Sequence, residues 1–477
     1  MNPHKGPARV VVLGAGATGL TAAYELLKRA ERDRLHLEVV VLEGSARAGG
    51  KIFTETRDGA VIEAGPDSFV TTKPQALELV RELGLAGELV KTNQGAKTIW
   101  VCHGGRLRAL PDGMSMLPTK LLPFVMTDLL PWKAKLRLLS EPWVPVEDGH
   151  EDESLACFIR RRLGPEVLDL VIGPMLAGIY AGDAEQMSVR STFPQLKDLE
   201  RRGGLLRGIW KQGRPKSGGD TSLFMSLRGG MGKLVEALLA KLPAGAVRTS
   251  QPVQALRRRG GRWHVQTPAG VVEADAVLSA LPANQLAKVV ADYDMELACV
   301  LGEIPFVSTA TVSTVYEKEG FPVEKADGFG FLVPKAEGKA ITAATFSSTK
   351  FPGRADEKSV LIRSFLGGVG REGPAEADDD SQIARAARHD LRDLLGLGER
   401  HPRLTRTFRY PKANPQYTVG HDLKLKRLDS CLRGHPGLAL AGCSYQGVGL
   451  PDCIKSGRDA AARLLAAMPQ RAPVGVA

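Results

Sequence analysis

The chain opens on a short unbroken apolar run, Arg9–Leu13, dominated by valine, which is the pattern of a strand buried on both faces. A glycine-rich turn, Gly14-Ala-Gly-Ala-Thr-Gly19, follows, and from Leu20 to Arg34 the apolar positions recur at helical spacing. Leu37–Leu42 (LEVVVL) reads as a second buried strand, ending at Glu43. Strand, turn, helix and strand make one βαβ unit.

Further along the period changes repeatedly. Ser154–Leu170 predicts an amphipathic helix with Ser154 as its cap, and Met231–Leu242 a second helix launched from Arg228-Gly-Gly230. Pro252–Leu256, Trp263–Thr267 and Ala276–Ala280 read as strands returning to the opening unit. Phe306–Tyr316, Gly328–Val333, Ala340–Phe346 and Val360–Phe365 alternate like an antiparallel sheet that could carry a substrate face. Leu438–Ala441 is a last strand, followed by a glycine-rich loop and the helix Cys453–Ala467. That strand and helix must return to the opening unit, so the fold expected is α/β and α+β with two interleaved domains. Residues 1–92, 226–300 and 416–477 would build one domain; 93–225 (helical) and 301–415 (sheet) would build the other. Only the first eight residues and the last ten or so read as loose ends.

At 477 residues, with 43% hydrophobic and 25% charged residues, the chain is long enough for two buried cores and too apolar for wholesale disorder. The net charge of +11 admits nucleic acid, an anionic membrane surface or an acidic substrate as its cause. Aromatics make up only 5% of the chain, and no basic helix interleaves with them, so a nucleic-acid role is not expected. The six cysteines (Cys102, Cys157, Cys299, Cys431, Cys443 and Cys453) show no metal-binding spacing and read as free thiols in a reducing cytoplasm. No run approaches the ~18 apolar residues of a membrane span. The nearest candidate, Met114–Trp132, is broken by three prolines and carries Lys120 and Asp128; it would lie on a membrane face or cap a cleft.

The strongest local motif is G-x-G-x-x-G at Gly14, Gly16 and Gly19, placed after a strand and opening a helix, as in Rossmann-like dinucleotide-binding folds. Gly14 permits the tight turn, Gly16 lets backbone approach a pyrophosphate on the helix N-terminus, and Gly19 lets helix pack on strand. Ala15, Ala17 and Thr18 fill the turn. Glu43 can accept from a ribose 2′-hydroxyl and disfavours a 2′-phosphate. Arg47, Gly49 and Gly50, directly behind that acid, suit the second loop of a flavin site, where backbone and guanidinium meet the diphosphate. Gly65-Pro-Asp-Ser68 is a backbone loop suited to a flat ring, or an ordinary turn. Ala441-Gly-Cys-Ser-Tyr-Gln-Gly-Val-Gly-Leu-Pro-Asp-Cys453 repeats the strand–glycine–helix arrangement, with a helix from near Pro451 aiming its positive end at the reducible end of a flavin. Asp452 is expected chiefly as that helix's cap.

With GAGATGL, Arg47-x-Gly-Gly50 and SYQGVGLPDCI together, the sequence resembles the flavin-dependent protoporphyrinogen and coproporphyrinogen oxidases of haem synthesis. Gly178-Ile-Tyr-Ala-Gly-Asp183, Leu227-Arg-Gly-Gly-Met231, Gly328-Phe-Gly-Phe-Leu-Val-Pro334 and Pro415-Gln-Tyr-Thr-Val-Gly-His421 extend the likeness from Val10 to about Ala467. The resemblance implies an amine-oxidase-like two-dinucleotide-binding fold and FAD contacts at Gly14–Gly19, Glu43, Gly44, Lys51 and Gly65–Ser68. Val253, Tyr410 (often Trp in such proteins), Gly442, Val448, Gly449 and Leu450 would add to them. It puts Leu332, Thr345 and Phe365 around a tetrapyrrole with the backbone of Gly178 beside the ring, and offers Lys73 and Lys97 as partners for propionates. The chemistry implied is three rounds of hydride transfer from a meso carbon to flavin, with O₂ reoxidising the cofactor and hydrogen peroxide released. No side-chain acid–base pair and no metal is needed, and His264, His401, His421 and His435 read as structural or surface residues. QGVGLPDCI resembles the bacterial coproporphyrinogen III enzymes more than the mitochondrial protoporphyrinogen ones. Peripheral membrane contact, hand-off to the next haem-pathway enzyme and oligomeric state stay open. The rivals are an amine oxidase, made less attractive by only seven Tyr and five Trp, a carotenoid desaturase, and a flavin-binding protein without turnover.

Overall fold

The computed structural model describes residues 6–114, 117–147, 152–212, 222–376 and 379–468, so most of the two expected loose ends lies outside the described residues. Its opening βαβ unit pairs Ala8–Leu13 in parallel with Leu37–Leu42, Val10 opposite Val39 and Leu13 opposite Leu42. The intervening helix, Ala17–Arg32, starts three residues earlier than the periodicity predicts, because Ala17 to Gly19 of the glycine turn are already helical. Val247–Arg248, Ala276–Ser279 and Leu438–Leu440 join the pair to give a five-stranded parallel sheet with the first strand at its centre. Side chains along that central strand divide strictly by parity. Val10 and Val12 enter the core that holds Leu20 and Ile454, while Val11 and Leu13 enter the one that holds Trp263 and Leu286.

Of the three strands expected to return here, only Ala276–Ser279 does. Arg262–Thr267 pairs with Ala255–Arg259 on one side and Gly270–Ala274 on the other, in a separate three-stranded antiparallel sheet. The side chains explain the division: Arg262–Thr267 buries every second residue, as a sheet wet on one face must, whereas Ala276–Ser279 is buried throughout.

The second layer is a seven-stranded mixed sheet. The four strands read from alternation are Phe306–Glu317, Gly330–Leu332, Ile341–Phe346 and Ser359–Gly367, and Leu404–Pro415 and the hairpin Ile99–His103/Arg106–Ala109 extend the sheet at its two edges. The helix Asp380–Leu395 covers one face through Ile383, Ala387 and Leu391. The region between the layers is helical, around Phe124, Leu138, Phe158 and Val171. There the single helix expected over Ser154–Leu170 is interrupted. Ser154 caps it by accepting from the Cys157 N–H, but it ends at Arg162, because Gly164 turns left-handed and Pro165 cannot continue the ladder. A π-helical turn, Leu168–Ile172, then leads into the helix Gly173–Tyr180. The segment that begins at Met114 forms the helix Leu121–Met126, with Ser115 and Met116 outside the described residues. Among the described residues no helix is long and apolar enough to cross a membrane.

Arg162 and Glu141 are wholly buried in this helical region and pair with each other. Arg162 also donates to the Val144 carbonyl at 2.9 Å, and Glu141 accepts from the Leu205 and Leu206 N–H groups at 2.8 and 3.0 Å. Each charge therefore meets its counter-ion and backbone partners besides. Glu141→Ala strands the arginine without its counter-ion and should lower unfolding free energy by about 3–5 kcal/mol, read from the urea midpoint of the purified protein. A loss below about 1 kcal/mol would show that the pair is not what holds this region together.

Candidate functional site

A cavity of about 560 Å³ runs between the carboxyl ends of the parallel strands and the seven-stranded sheet, the position where open α/β sheets take their ligands and a size ordinary for a cofactor site. The chain's first and last glycine turns meet there. Gly14, Gly16, Ala17 and Thr18 line it at one end, and Gly442, Val448 and Leu450 line it from the closing turn. Two long helices start at its wall, Ala17–Arg32 capped by Gly16 and Leu450–Ala467 capped by Gly449, and neither cap residue offers a side chain to the first-turn N–H groups. Both positive helix ends are therefore left to whatever fills the cavity.

The glycines differ in what they do. A β-carbon on Gly19 would lie 1.9 Å from the Gly14 carbonyl oxygen, so this glycine serves helix–strand packing. A β-carbon on Gly16 would meet nothing nearer than the Gly50 Cα at 4.0 Å; its side-chain position is open cavity. Glu43, at the end of the second strand, lines the same space. One carboxylate oxygen accepts from the Ala15 N–H at 2.8 Å, and the other from the Ser45 N–H at 2.9 Å and the Ser45 hydroxyl at 2.6 Å. The acid is fixed in place and at the same time pins the glycine turn. An uncapped helix end for a diphosphate, a fixed carboxylate for a ribose and a long cavity onward to a second helix end fit a flavin adenine dinucleotide.

The remaining expected contacts divide. Lys51, Gly65, Pro66, Asp67, Ser68 and Tyr410 line the cavity, as do Gly178 and Phe365 on the substrate side. The Lys51 ammonium also donates to the Ala413 carbonyl and, at 3.1 Å, to Asn414 Oδ1, tying the N-terminal loop to the strand Leu404–Pro415. Gly44 and Val253 do not line the cavity; Gly44 lies against Pro252, and Val253 packs into the core on the far side of the sheet. Arg47 corrects the expectation of a guanidinium on the diphosphate. Its N–H groups donate to the carbonyls of Ala48, Gly50 and Ile52, at 3.3, 2.8 and 3.2 Å, and its plane lies over Phe53. It shapes the loop from outside. Leu332 packs behind Gly178, whose β-carbon would stand 3.5 Å from it, and neither it nor Thr345 lines the cavity. Lys73 is held in an ion pair with Asp452 at 2.7 Å, and Lys97 is exposed away from the cavity wall. Asp452 is accordingly not the cap of the last helix but a first-turn residue facing Lys73.

Beneath the Ala64–Ser68 loop lies a buried charged group that sequence patterning did not single out. Asp67 pairs with Lys350 at 3.1 Å and Glu63 with Arg354 at 3.3 Å, and the Arg363 guanidinium donates to the Ala64 carbonyl at 3.0 Å. Burial alone would push the Asp67 carboxyl up, but Lys350 and Arg363 outweigh it and hold it well below the ordinary carboxylate range. At Glu63 burial prevails over Arg354 and pushes the carboxyl up. One signal was there to find: Arg363 is the only charged residue in a buried strand, Ser359–Gly367, whose other members are apolar or serine. Cys443 and Cys453, both at the cavity wall, hydrogen-bond one another, which lowers the Cys443 thiol and raises that of Cys453. His421 is buried, stacked on Tyr417 and bonded to the Tyr445 carbonyl, a structural residue as expected.

The model of the family described as flavin containing amine oxidoreductase matches residues 17–465. The chain is 34% identical to the coproporphyrinogen III oxidase of Bacillus subtilis over 465 residues, 95% of this chain and 97% of that one. It is also 34% identical to the protoporphyrinogen oxidase of Homo sapiens, over 96% of this chain and 99% of that one. A crystal structure named as a candidate protoporphyrinogen oxidase, from Exiguobacterium sp. 255-15, superposes with a TM-score of 0.85 at 32% identity, covering 96% of this chain and 98% of that one. The cyclohexylamine oxidase of Brevibacterium oxydans, at 17% identity and a TM-score of 0.70, shares the fold.

Because the space beside Gly16 is open to the cavity and not to the core, Gly16→Val should leave the protein folded and strip it of flavin. The visible flavin absorbance of the purified variant checks this; full flavin content at wild-type yield would mean that the cofactor does not lie against this turn.

Proposed function

The chain belongs to the flavin-containing amine oxidoreductases, among the coproporphyrinogen and protoporphyrinogen oxidases, and uses FAD; from that premise we propose that it oxidises coproporphyrinogen III to coproporphyrin III, with O₂ as final electron acceptor and hydrogen peroxide as by-product. The full-length likeness to the Bacillus subtilis enzyme carries the reading. Identity alone does not separate the two tetrapyrroles, since the human protoporphyrinogen enzyme is equally similar. The excess of cations, 64 Lys and Arg against 53 Asp and Glu, favours the substrate with four carboxylates over the one with two.

In this reading the helix end at Gly16–Thr18 holds the diphosphate, Glu43 the ribose, and the helix end at Val448–Leu450 the reducible part of the ring system, with Lys51, Gly65–Ser68 and Tyr410 along its length. FAD, when bound, supplies the two-electron acceptor that no side chain of the chain provides. The protein's own part is placement and exclusion of water. Ile179, Phe365 and Leu366 present apolar surface opposite the glycine turns, and Gly178 keeps the helix Gly173–Tyr180 free of a side chain where it meets Leu332 and Ala343. Lys73 and Lys97 would reach propionates only at the outer edge, Lys73 by exchanging its partner Asp452.

Anaerobic coproporphyrinogen III should bleach the flavin. In air it should yield porphyrin fluorescence with about three equivalents of peroxide for each porphyrin, two electrons leaving in each round. Faster turnover of protoporphyrinogen IX would transfer the assignment to the alternative substrate, and turnover of neither would leave a flavin protein of other function.

The exposed apolar side chains of Leu122, Met126, Trp132, Leu136 and Trp143, with Lys133 exposed among them, support peripheral contact with an anionic lipid surface, the two indoles at headgroup level. Co-sedimentation with phosphatidylglycerol vesicles should fall severalfold in a Trp132→Ser/Trp143→Ser double variant. Equal sedimentation of the two proteins would remove the lipid-contact reading.

A further inference from the structure

The charged group beneath the Ala64–Ser68 loop does not balance. Two carboxylates, Glu63 and Asp67, face three cations, Lys350, Arg354 and Arg363. Lys350 is matched with Asp67 and Arg354 with Glu63, while Arg363 faces Asp67 only as a second cation on an acid already paired. An excess buried cation is costly unless something anionic meets it.

Arg363 is also the member that reaches the cavity. It lines the wall beside Phe365 and Tyr410, and its guanidinium lies over the Phe365 ring at 4.7 Å. It is only 5% exposed, so the solvent does not compensate it. Its Nη2 donates to the Ala64 carbonyl, and its Nε–H, buried, has no acceptor. Of the several N–H donors of a guanidinium the protein thus engages one, and a guanidinium with spare donors at the wall of a ligand cavity suits a planar acceptor pair. Burial weakens the hold of Arg363 on its proton, against the pull of Asp67, which is the signature of a charge whose full compensation is missing from the protein.

We propose that Arg363 is an anion-binding residue of the cavity, taking a carboxylate-like pair of acceptor atoms that bears negative charge. That charge has two sources of the same chemistry: a carboxylate of the substrate, or the pyrimidine edge of the flavin once negative charge resides on the ring. The second source rests on FAD being the cofactor, and the first also on the tetrapyrrole reading.

The test compares the FAD-loaded wild type with Arg363→Met, which keeps length and removes charge, and Arg363→Lys, which keeps charge and loses the fork. Two titrations separate the sources. Inorganic sulfite adds reversibly to an oxidised flavin ring and leaves it negative, so its affinity, read by bleaching, reports stabilisation of charge on the cofactor. Coproporphyrin III, read by quenching of its fluorescence, reports a carboxylate. One of the two affinities should fall roughly 30-fold or more in the Met variant and recover in part in the Lys variant, as for loss of one partner in a buried charge pair. Loss of sulfite binding alone assigns the anion to the flavin, and loss of coproporphyrin binding alone assigns it to the substrate. A wild type that binds sulfite but not coproporphyrin III counts against the tetrapyrrole reading and leaves Arg363 to be decided by sulfite. Thermal unfolding without FAD or porphyrin is the second measurement. Because Arg363 also supports Asp67 and the Ala64 carbonyl, some stability should be lost there in the Met variant, and the affinities are compared on variants that remain folded with FAD bound. A Met variant that keeps both affinities within about twofold, or, should the Met variant not fold, a Lys variant that keeps both at the wild-type level, overturns the proposal.

Discussion

The site depends on one close crossing. The helix that opens the chain and the helix that nearly closes it pack so tightly that a β-carbon on Gly457 would stand 2.5 Å from the Thr18 carbonyl oxygen. The contact aligns two helices more than four hundred residues apart in sequence so that both uncapped N-termini open on one cavity. Gly19 supplies the same service on the strand side, against the Gly14 carbonyl. Move either contact apart by a methyl group and the two helix dipoles no longer converge, although each helix would still form. A dinucleotide that carries charge at its diphosphate and accepts it at its ring end needs positive potential at both places, and here the two helix ends supply it from backbone, beside the Lys51 and Arg363 side chains.

The parts of the fold legible in the sequence were those in which one residue's period is set by one neighbour. The valines of Arg9–Leu13 and Leu37–Leu42 are buried on both faces, and nothing but a central parallel strand buries them so. The long substrate strands declared themselves by alternation. Where two demands compete, the pattern misled. Arg262–Thr267 looked like a returning strand because it is apolar enough, yet its polar alternates, Arg262, His264 and Gln266, need a less buried face that the central sheet does not offer. The helix over Ser154–Leu170 had the right period and cap, and was cut by the Gly164-Pro165 pair, whose backbone geometry outweighs amphipathicity.

Within the site the same division holds. That Gly16, Glu43, Val448 and Leu450 face one cavity could be read because their placement is backbone-level and local: a tight turn, a strand end, a helix start. Arg47 could not, since whether a guanidinium turns toward a ligand or toward three carbonyls of its own loop depends on chain that folds over it. Beyond the lone arginine in the strand Ser359–Gly367, nothing in the sequence pointed to the charge cluster. Its members sit at 63, 67, 350, 354 and 363, and only the packing of the substrate sheet under the Ala64–Ser68 loop brings them together.

The packing also keeps the histidines expected to be structural away from the cavity wall. His421 is held between Tyr417 and the Tyr445 carbonyl, where burial disfavours its charged form, and His435 is bonded to Asp294 on the outer side of the parallel sheet. Neither lines the cavity. Glu63 is a carboxyl that burial moves toward neutrality, and its oxygens are taken by Thr54 and the Met231 N–H, facing inward. The two helix N-termini and Arg363 put positive potential at the wall, which favours negative charge on whatever lies against it. The chemistry is left to the cofactor, and discrimination among substrates to shape and to anionic groups.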